Sequence, residues 1–412
     1  MYILYVAYLV FLGYIAITVL FLIVLAVAGR IGRADDPRER ILPRISRKMG
    51  VLIPAYKEDA VIADSVLTNL KQDYPADRFE LIVIADSLKS PTLAQLATLP
   101  IRVIDVSFAI STVSKAINAA LAQLPDNEYD IIVVADADNH MAPDFLSRIN
   151  VAFEQGWQAV QGHRVAKNTD TSVATLDAIS EEINNHIFRK GSRVIGSSAS
   201  IIGSGMAVEL TLMKKAMANL LTIGGYDKEL EMNIVLSGHT VGYLEQAFIY
   251  DEKVASRAVF EHQRTRWIAA QWQFLTGYFR RGMTELLSGR VTGALKIVQA
   301  FVLPKVLLLG LLTGCTGLGL LSSNPVLSVV PSALLLTLCL SLLISVPAYL
   351  WRRVTVRELL LIPVLMLSFA RAVLNIRKAF KRFMHTPHTI AAPVNSVPAE
   401  RNQPDGREGL LQ

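Results

Sequence analysis

Apolar and polar positions divide the chain into three stretches. Residues 2–28 carry no charge before Arg30, and an apolar helix of about 20 residues is enough to cross a bilayer. From 49 to about 255, short β-branched runs alternate with helical stretches. MGVLIP (49–54), ELIVIA (80–85), IRVIDV (101–106) and DIIVVAD (130–136) read as buried strands, and 57–72, 114–124 and 143–155 as helices. That alternation predicts βαβ units, hence an α/β fold with a mostly parallel sheet and helices on both faces. From 259 to about 290, Phe260, Trp267, Trp272, Phe274, Tyr278 and Phe279 are interleaved with Arg264, Arg266, Arg280 and Arg281, a mixture suited to a helix at a membrane interface. Apolar runs follow at 298–322, 326–350 and 358–375, and the chain beyond about 386 is polar and reads as disordered.

Composition sharpens this picture. Hydrophobic residues make up 52% of the 412, and the excess lies at the two ends, so membrane segments flank a water-soluble middle. The first run lacks a basic start and a small-residue cleavage site, which favours an anchor over a cleaved signal peptide. Arg30, Arg33, Arg38, Arg40, Arg44, Arg47 and Lys48 follow it, placing the middle in the cytoplasm by the positive-inside rule. The net charge of +6 sits at the edges of apolar runs. It suits anionic lipid headgroups, and no basic stripe indicates a nucleic-acid partner. Cys315 and Cys339 fall inside apolar runs and read as membrane residues, neither disulfide nor zinc ligands. Trp351, Arg352, Arg353 and Arg357 mark a cytoplasmic turn. Three full spans would then put the tail outside, whereas Arg377, Lys378, Lys381 and Arg382 place it inside, so either the 358–375 run is re-entrant or interfacial, the favoured reading, or one preceding run does not span. The resulting parse is an N-terminal transmembrane helix (1–30), a basic linker (31–48), a cytoplasmic domain (49–258), interfacial helices (259–295), membrane or re-entrant segments (296–376) and a basic, then disordered tail (377–412).

Four places carry candidate chemistry. Asp136-Ala137-Asp138 follows the strand IIVVA, and two buried carboxylates so placed need neutralising. A hard divalent cation, Mg2+ or Mn2+, bridging a diphosphate does this; an acidic turn is the plain alternative. Asp86 ends the strand LIVIA, where a carboxylate contacts a nucleotide base or ribose, or caps a turn. In GGYDKELEMNIVLSG (224–238) Asp227 opens a helix as a general base or as an N-cap. Glu229 and Glu231 are alternatives, read as solvated helix charges. In Gln263-Arg264-Thr265-Arg266-Trp267, helical spacing sets Gln263, Arg266 and Trp267 on one face. There an Arg neutralises a leaving diphosphate and a Trp ring stacks on a sugar, or both simply anchor the interface.

In this order the four sites resemble the family 2 glycosyltransferases, especially the membrane synthases related to cellulose, chitin and hyaluronan synthases. VLIPAYKED resembles the family's opening motif, with Tyr56 and Glu58 near the nucleotide, and Asp86 matches the carboxylate that contacts uridine. Ser114-Lys115-Ala116-Ile117-Asn118 is similar to the family's Lys-Ala-Leu-Asn segment, which adds Lys115 to the donor site. Asp136 and Asp138 match the metal–diphosphate pair, and Gly203-Ser204-Gly205 resembles the loop near the acceptor. Asp227 stands 11 residues before Gly238, as the family's base stands before its helix-ending Gly. Gln263, Arg266 and Trp267 fit Q-x-x-R-W. Two positions depart: Tyr226 replaces the family's Glu, leaving Asp227 and Glu229 both open as base, and Ala-Asp-Ser surrounds Asp86 in place of paired Asp.

The resemblance implies a GT-A-like domain and a UDP-sugar donor. Asp138, with Asp136, would hold Mg2+ or Mn2+, and transfer would be inverting, with Asp227 as base. The acceptor would be a growing polysaccharide exported processively, or a lipid or lipid-linked acceptor glycosylated once. Membrane lipids would surround the chain in a bacterial-type inner membrane. A non-catalytic transporter or scaffold is the third reading, disfavoured because the polar chemistry lies in the middle domain.

Overall fold

The computed structural model describes residues 2–36, 45–218, 220, 225–254 and 256–374. Arg38, Arg40, Arg44, Gly224, the basic cluster at 377–382 and the tail 377–412 lie outside the described residues. Eight strands form one sheet: β1 (Met49–Tyr56), β2 (Phe79–Asp86), β3 (Arg102–Val106), β4 (Ile131–Val134), β5 (His140–Met141), β6 (Ala159–Ala166), β7 (Met206–Glu209) and β8 (Gly242–Asp251), in the order β3-β2-β1-β4-β7-β6-β8-β5. Strand residues alternate between two apolar layers, as a period of two requires. Met49, Val51 and Ile53 pack with helices Ile62–Asn69 and Phe145–Glu154 on one face. Leu52, Ile82 and Ile84 pack with helix Val113–Leu121 on the other. Both faces are covered, which is why these strands read as continuous hydrophobic runs.

The sheet from β3 to β4 is wholly parallel. Beyond β4 it becomes mixed, because β7 inserts antiparallel between β4 and β6, and β5 pairs antiparallel with β8. No crossover helix follows β4 directly. The chain turns through 135–139 into the two-residue β5 before helix Phe145–Glu154. The expected strand at 130–136 is therefore shorter, and its last residues are freed for the site.

Two described helices, Tyr2–Ile31 and Pro325–Ser345, are long and apolar enough to cross a membrane, and they pack on each other through Leu12, Ile15 and Val19 against Leu334 and Leu338. The 298–322 run is not one straight helix. Helices Val291–Phe301 and Lys305–Gly319 meet at 60°, because Pro304 lacks an N–H and forces Val302–Leu303 out of helical conformation. Counted together they are long and apolar enough for a third, broken span or for a re-entrant loop. The 326–350 run likewise stops at Ser345, before Pro347, and resumes as the short helix Ala348–Trp351. Helix Val356–Leu374 contains Glu358, Pro363 and Arg371, and its Leu365 and Phe369 pack on Val254 and Phe260 of the middle domain and its following helix. Cys315 and Cys339 are free and half-buried.

The first helix is seated on the α/β domain. A Cβ on Gly191 would lie 2.2 Å from the Leu25 carbonyl oxygen, so only glycine permits this approach, and His186 Nε2 donates to the Ala26 carbonyl at 2.9 Å. Both residues belong to the π-helical turn Asn185–Gly191, which extends helix Ser172–Asn184.

Candidate active site

The carboxyl ends of β1 and β2 lie side by side, with Tyr56 paired to Asp86. Each strand ends in a left-handed residue, Lys57 at φ 58° and Ser87 at φ 60°, and the Lys57 N–H donates to the Asp86 carbonyl at 3.1 Å. Asp86 is buried and caps no helix; its side chain accepts from the Ser87 hydroxyl at 2.9 Å. Glu58 is buried one turn on, its carbonyl accepting from Val61 and Ile62. Lys115 starts the helix that follows β3, at the same edge, exposed, with Nζ donating to the Ile110 carbonyl at 2.8 Å.

Asp136 and Asp138 occupy the turn after β4. Asp138 is only 1% exposed, accepting from the Asn139 side chain at 3.1 Å and the Glu252 N–H at 3.1 Å. The Asp136 side chain is 38% exposed and lies 4.0 Å from Arg164. The Gly203-Ser204-Gly205 loop is fastened to this turn. Ser204 Oγ accepts from the Asp136 N–H at 3.2 Å and donates to the Asn139 side chain. Gly205 has φ 67°, and a Cβ there would lie 2.5 Å from the Ile249 side chain. Among the described residues no third His, Cys, Asp or Glu gathers here to complete a cation cage. The two carboxylates are hard oxygen donors of the kind that Mg2+ or Mn2+ takes.

Helix Tyr226–Leu236 brings Asp227 to the same rim. Its N-cap is Gly225, at φ 73°, where a Cβ would lie 2.7 Å from Ala270. Asp227 is therefore not the cap; its Oδ1 accepts from the Lys228 N–H at 3.0 Å. Burial raises its carboxyl pKa, against the lowering effect of Lys228 and Arg164. The Tyr226 hydroxyl donates to the Gly203 carbonyl at 2.7 Å; burial raises its pKa, Asp136 and Asp227 add to the rise, and Arg164 opposes it.

Helix Arg257–Leu287 closes the site with Gln263, Arg266 and Trp267. Burial pulls the Arg266 guanidinium below its ordinary value, and the charges of Asp136 and Asp227 oppose that shift. Gln263 Oε1 is buried with no hydrogen-bond partner among the described residues. Trp267 stays 36% exposed, with the Arg264 guanidinium 4.0 Å from its ring centre. Asp136, Asp227, Arg266 and Tyr226 thus converge, with Tyr56, Glu58, Asp86 and Lys115 along the same strand-end edge.

Glu229 and Glu231 are not solvated charges. Glu229 is fully buried beside Tyr278, whose hydroxyl it helps burial to push up to about 12, and Glu231 pairs with Lys296 at 2.6 Å. Both carboxylates point into the packing against helices Arg257–Leu287 and Val291–Phe301. Their burial depends on tertiary neighbours that the helical sequence around them does not reveal.

A buried ionic network lies directly behind Asp136. Arg164 on β6 contacts Glu181 at 2.9 Å and Asp251 at 3.8 Å, Lys253 meets Asp251 at 2.6 Å and Glu181 at 3.7 Å, and Arg189 reaches Glu181 at 3.4 Å. Burial alone would raise the Glu181 carboxyl; Arg164, Lys253 and Arg189 override it and hold it far below the usual range. Sequence reasoning missed this network. Its one local signal is Asp251 at the carboxyl end of β8 with Lys253 two residues on; Arg164, Glu181 and Arg189 lie on other elements and join them only through the fold.

A mixed α/β sheet whose strand ends gather acids and arginines presents its ligand site at the carboxyl ends of its strands. Residues 46–270 match the family described as "Glycosyltransferase like family 2", and this chain belongs to that family, with its GT-A-like fold. The chain is similar to a β-monoglucosyldiacylglycerol synthase of Synechocystis sp., 28% identical over 244 residues (56% of this chain, 49% of the relative). It is also similar to a probable glycosyltransferase of Bacillus subtilis, 24% identical over 254 residues (57% and 58%). The chain spans about half the length of the curated relatives it matches. Among solved structures, a Pyrobaculum calidifontis mannosyltransferase in complex with GDP-Man and Mn2+ superposes with a TM-score of 0.49 at 17% identity, covering 79% of this chain and 94% of that one.

Proposed function

We propose that the chain is a membrane-attached, inverting glycosyltransferase that moves one sugar from a UDP-sugar to a lipid acceptor. The observation that carries this reading is the gathering of Asp136, Tyr226 and Asp227 around the Gly203-Ser204-Gly205 loop, next to the helix that carries Arg266 and the partly open Trp267 ring. The lipid acceptor is supported by the Synechocystis relative, whose name makes it a synthase of a glucosylated diacylglycerol. It is also supported by the position of Trp267 on a helix that packs against the apolar helix Val356–Leu374. Helix Tyr2–Ile31 and the arginines after it support a membrane location with the α/β domain on the cytoplasmic side.

In this mechanism Asp86, Tyr56, Glu58 and Lys115 bind the nucleoside end of the donor. Asp136 and Asp138 would hold a divalent cation, which when bound would supply charge neutralisation of the leaving diphosphate. Asp227 takes the proton of the acceptor hydroxyl, whose oxygen bonds to the anomeric carbon as the bond from that carbon to the diphosphate breaks, and UDP departs with the electron pair. Arg266 stabilises the departing charge. Burial keeps Asp227 basic enough for this task, while Glu229 is committed to the Tyr278 contact. With an α-linked donor, attack from the opposite face gives a β bond.

A processive polysaccharide synthase is the second reading, favoured by Gln263, Arg266 and Trp267 as Q-x-x-R-W. The experiment incubates the purified full chain in nanodiscs with diacylglycerol and a panel of UDP-sugars, and products are weighed by mass spectrometry. One added hexose on the lipid is the expected result. A ladder or long polymer moves the assignment to the processive reading, and absence of transfer from every donor overturns both.

A further inference from the structure

Arg264, the second residue of the Gln263–Trp267 motif, feels other carboxylates than Arg266 does. Its guanidinium is 4% exposed and enclosed by aromatic rings, 4.0 Å from the centre of Trp267, 4.6 Å from Phe260 and 5.8 Å from Phe369. Phe260 and Trp267 lie one turn to either side of Arg264 on the same helix, so the cation fills the space between them. Phe369 comes from helix Val356–Leu374 and meets Phe260 edge-on, with centroids 5.6 Å apart. One carboxylate reaches into this cage: Asp177 of helix Ser172–Asn184, 6% exposed, accepts from Arg264. Arg264 Nε has no hydrogen-bond partner among the described residues; Asp177 hydrogen-bonds the guanidinium, and the nearby charge of Glu181 adds a weaker attraction.

We propose that Asp177 is a positioning residue: through Arg264 it fixes the plane of the Trp267 ring, leaving one face against the guanidinium and the other free for the acceptor. The acceptor role rests on the function proposed above. The physical basis is that a desolvated guanidinium over an indole face is strongly oriented. Without its counter-ion the guanidinium leaves the cage for solvent, and the ring loses its stacking partner. The same cage ties Trp267 to helix Val356–Leu374, so the acceptor-side ring and the apolar helix move as one unit.

The test uses the full chain in nanodiscs, with kinetics for donor and acceptor separately, and a background in which Trp267 is the sole tryptophan (Trp157→Phe, Trp272→Phe, Trp351→Phe). Asp177→Asn is expected to raise the acceptor KM by about tenfold, leave the donor KM unchanged, and increase acrylamide quenching of Trp267 fluorescence. Because removing one buried partner also destabilises the fold, the double variant Asp177→Ala/Arg264→Leu separates the two effects. It is expected to recover the melting temperature but keep the raised acceptor KM. Unchanged Trp267 quenching in Asp177→Asn, or recovery of the acceptor KM together with melting in the double variant, overturns the proposal. If Trp267→Ala leaves the acceptor KM unchanged, the acceptor reading of the ring falls, whereas the quenching result still decides whether Asp177 orients it.

Discussion

Asp227→Asn separates the chemistry from the fold. The substitution keeps the shape of the side chain and the hydrogen bond that Oδ1 accepts from the Lys228 N–H, and removes only the basicity. Loss of a general base costs about 10²–10⁴ in rate, which is about 3–5 kcal/mol of barrier. Stability should move the other way or not at all. Burial raises the Asp227 carboxyl above its ordinary value, so ionising it works against folding. Its favourable contribution is complete below the unfolded pKa, about 3.9, and is lost as pH rises through the folded value. Near neutral pH the charged form is a liability, offset in part by its place in the first turn of helix Tyr226–Leu236, worth about 0.3–1 kcal/mol. The variant should therefore melt at or slightly above the parent temperature, bind UDP normally, and lose turnover. The parent's activity should fall as pH drops through the raised Asp227 value. Single-turnover kinetics, UDP titration and thermal melting on one preparation decide it. A rate loss under tenfold, or a fall in melting temperature that accounts for the lost activity, refutes the assignment and returns the role to Glu229.

Three further outcomes are expected. Glu181→Gln leaves Arg164, Arg189 and Lys253 short of a buried counter-charge and should destabilise the fold by about 3–5 kcal/mol, read by denaturant titration in detergent. Because the folded Glu181 pKa is depressed, its contribution is present above the unfolded value, about 4.3, and is lost only as pH falls through the folded one. Gly191→Val places a Cβ against the Leu25 backbone, at 2.2 Å, and should cost about 1–3 kcal/mol, seen as a lower melting temperature and faster proteolysis between the first helix and the α/β domain. Chelation with EDTA should stop transfer and Mg2+ or Mn2+ should restore it, while in Asp136→Asn UDP binding should lose its dependence on the added ion, measured by calorimetry.

The parallel half of the sheet was legible because its strands are buried on both faces, which turns β1, β2 and β4 into apolar runs that need no partner to be recognised. The strand-end positions of Asp86, Asp136 and Asp138 followed from those runs, and the family from the order of the motifs. The antiparallel strand β7, Met206–Glu209, is too short to signal itself and exists because β4 and β6 offer it edges. The break at Pro304 was written in the chain and still needed the packed helices to become a 60° bend. What only the tertiary structure decided is the electrostatics. Whether a carboxylate at 227, 229 or 231 lies at the rim of the site, beside the Tyr278 hydroxyl or paired with Lys296 depends on the face that helix Arg257–Leu287 and its successor cover. Local sequence specifies a charge, whereas its desolvation and its partners are set by residues dozens of positions away, and those settings are what distinguish a base from a structural ion pair.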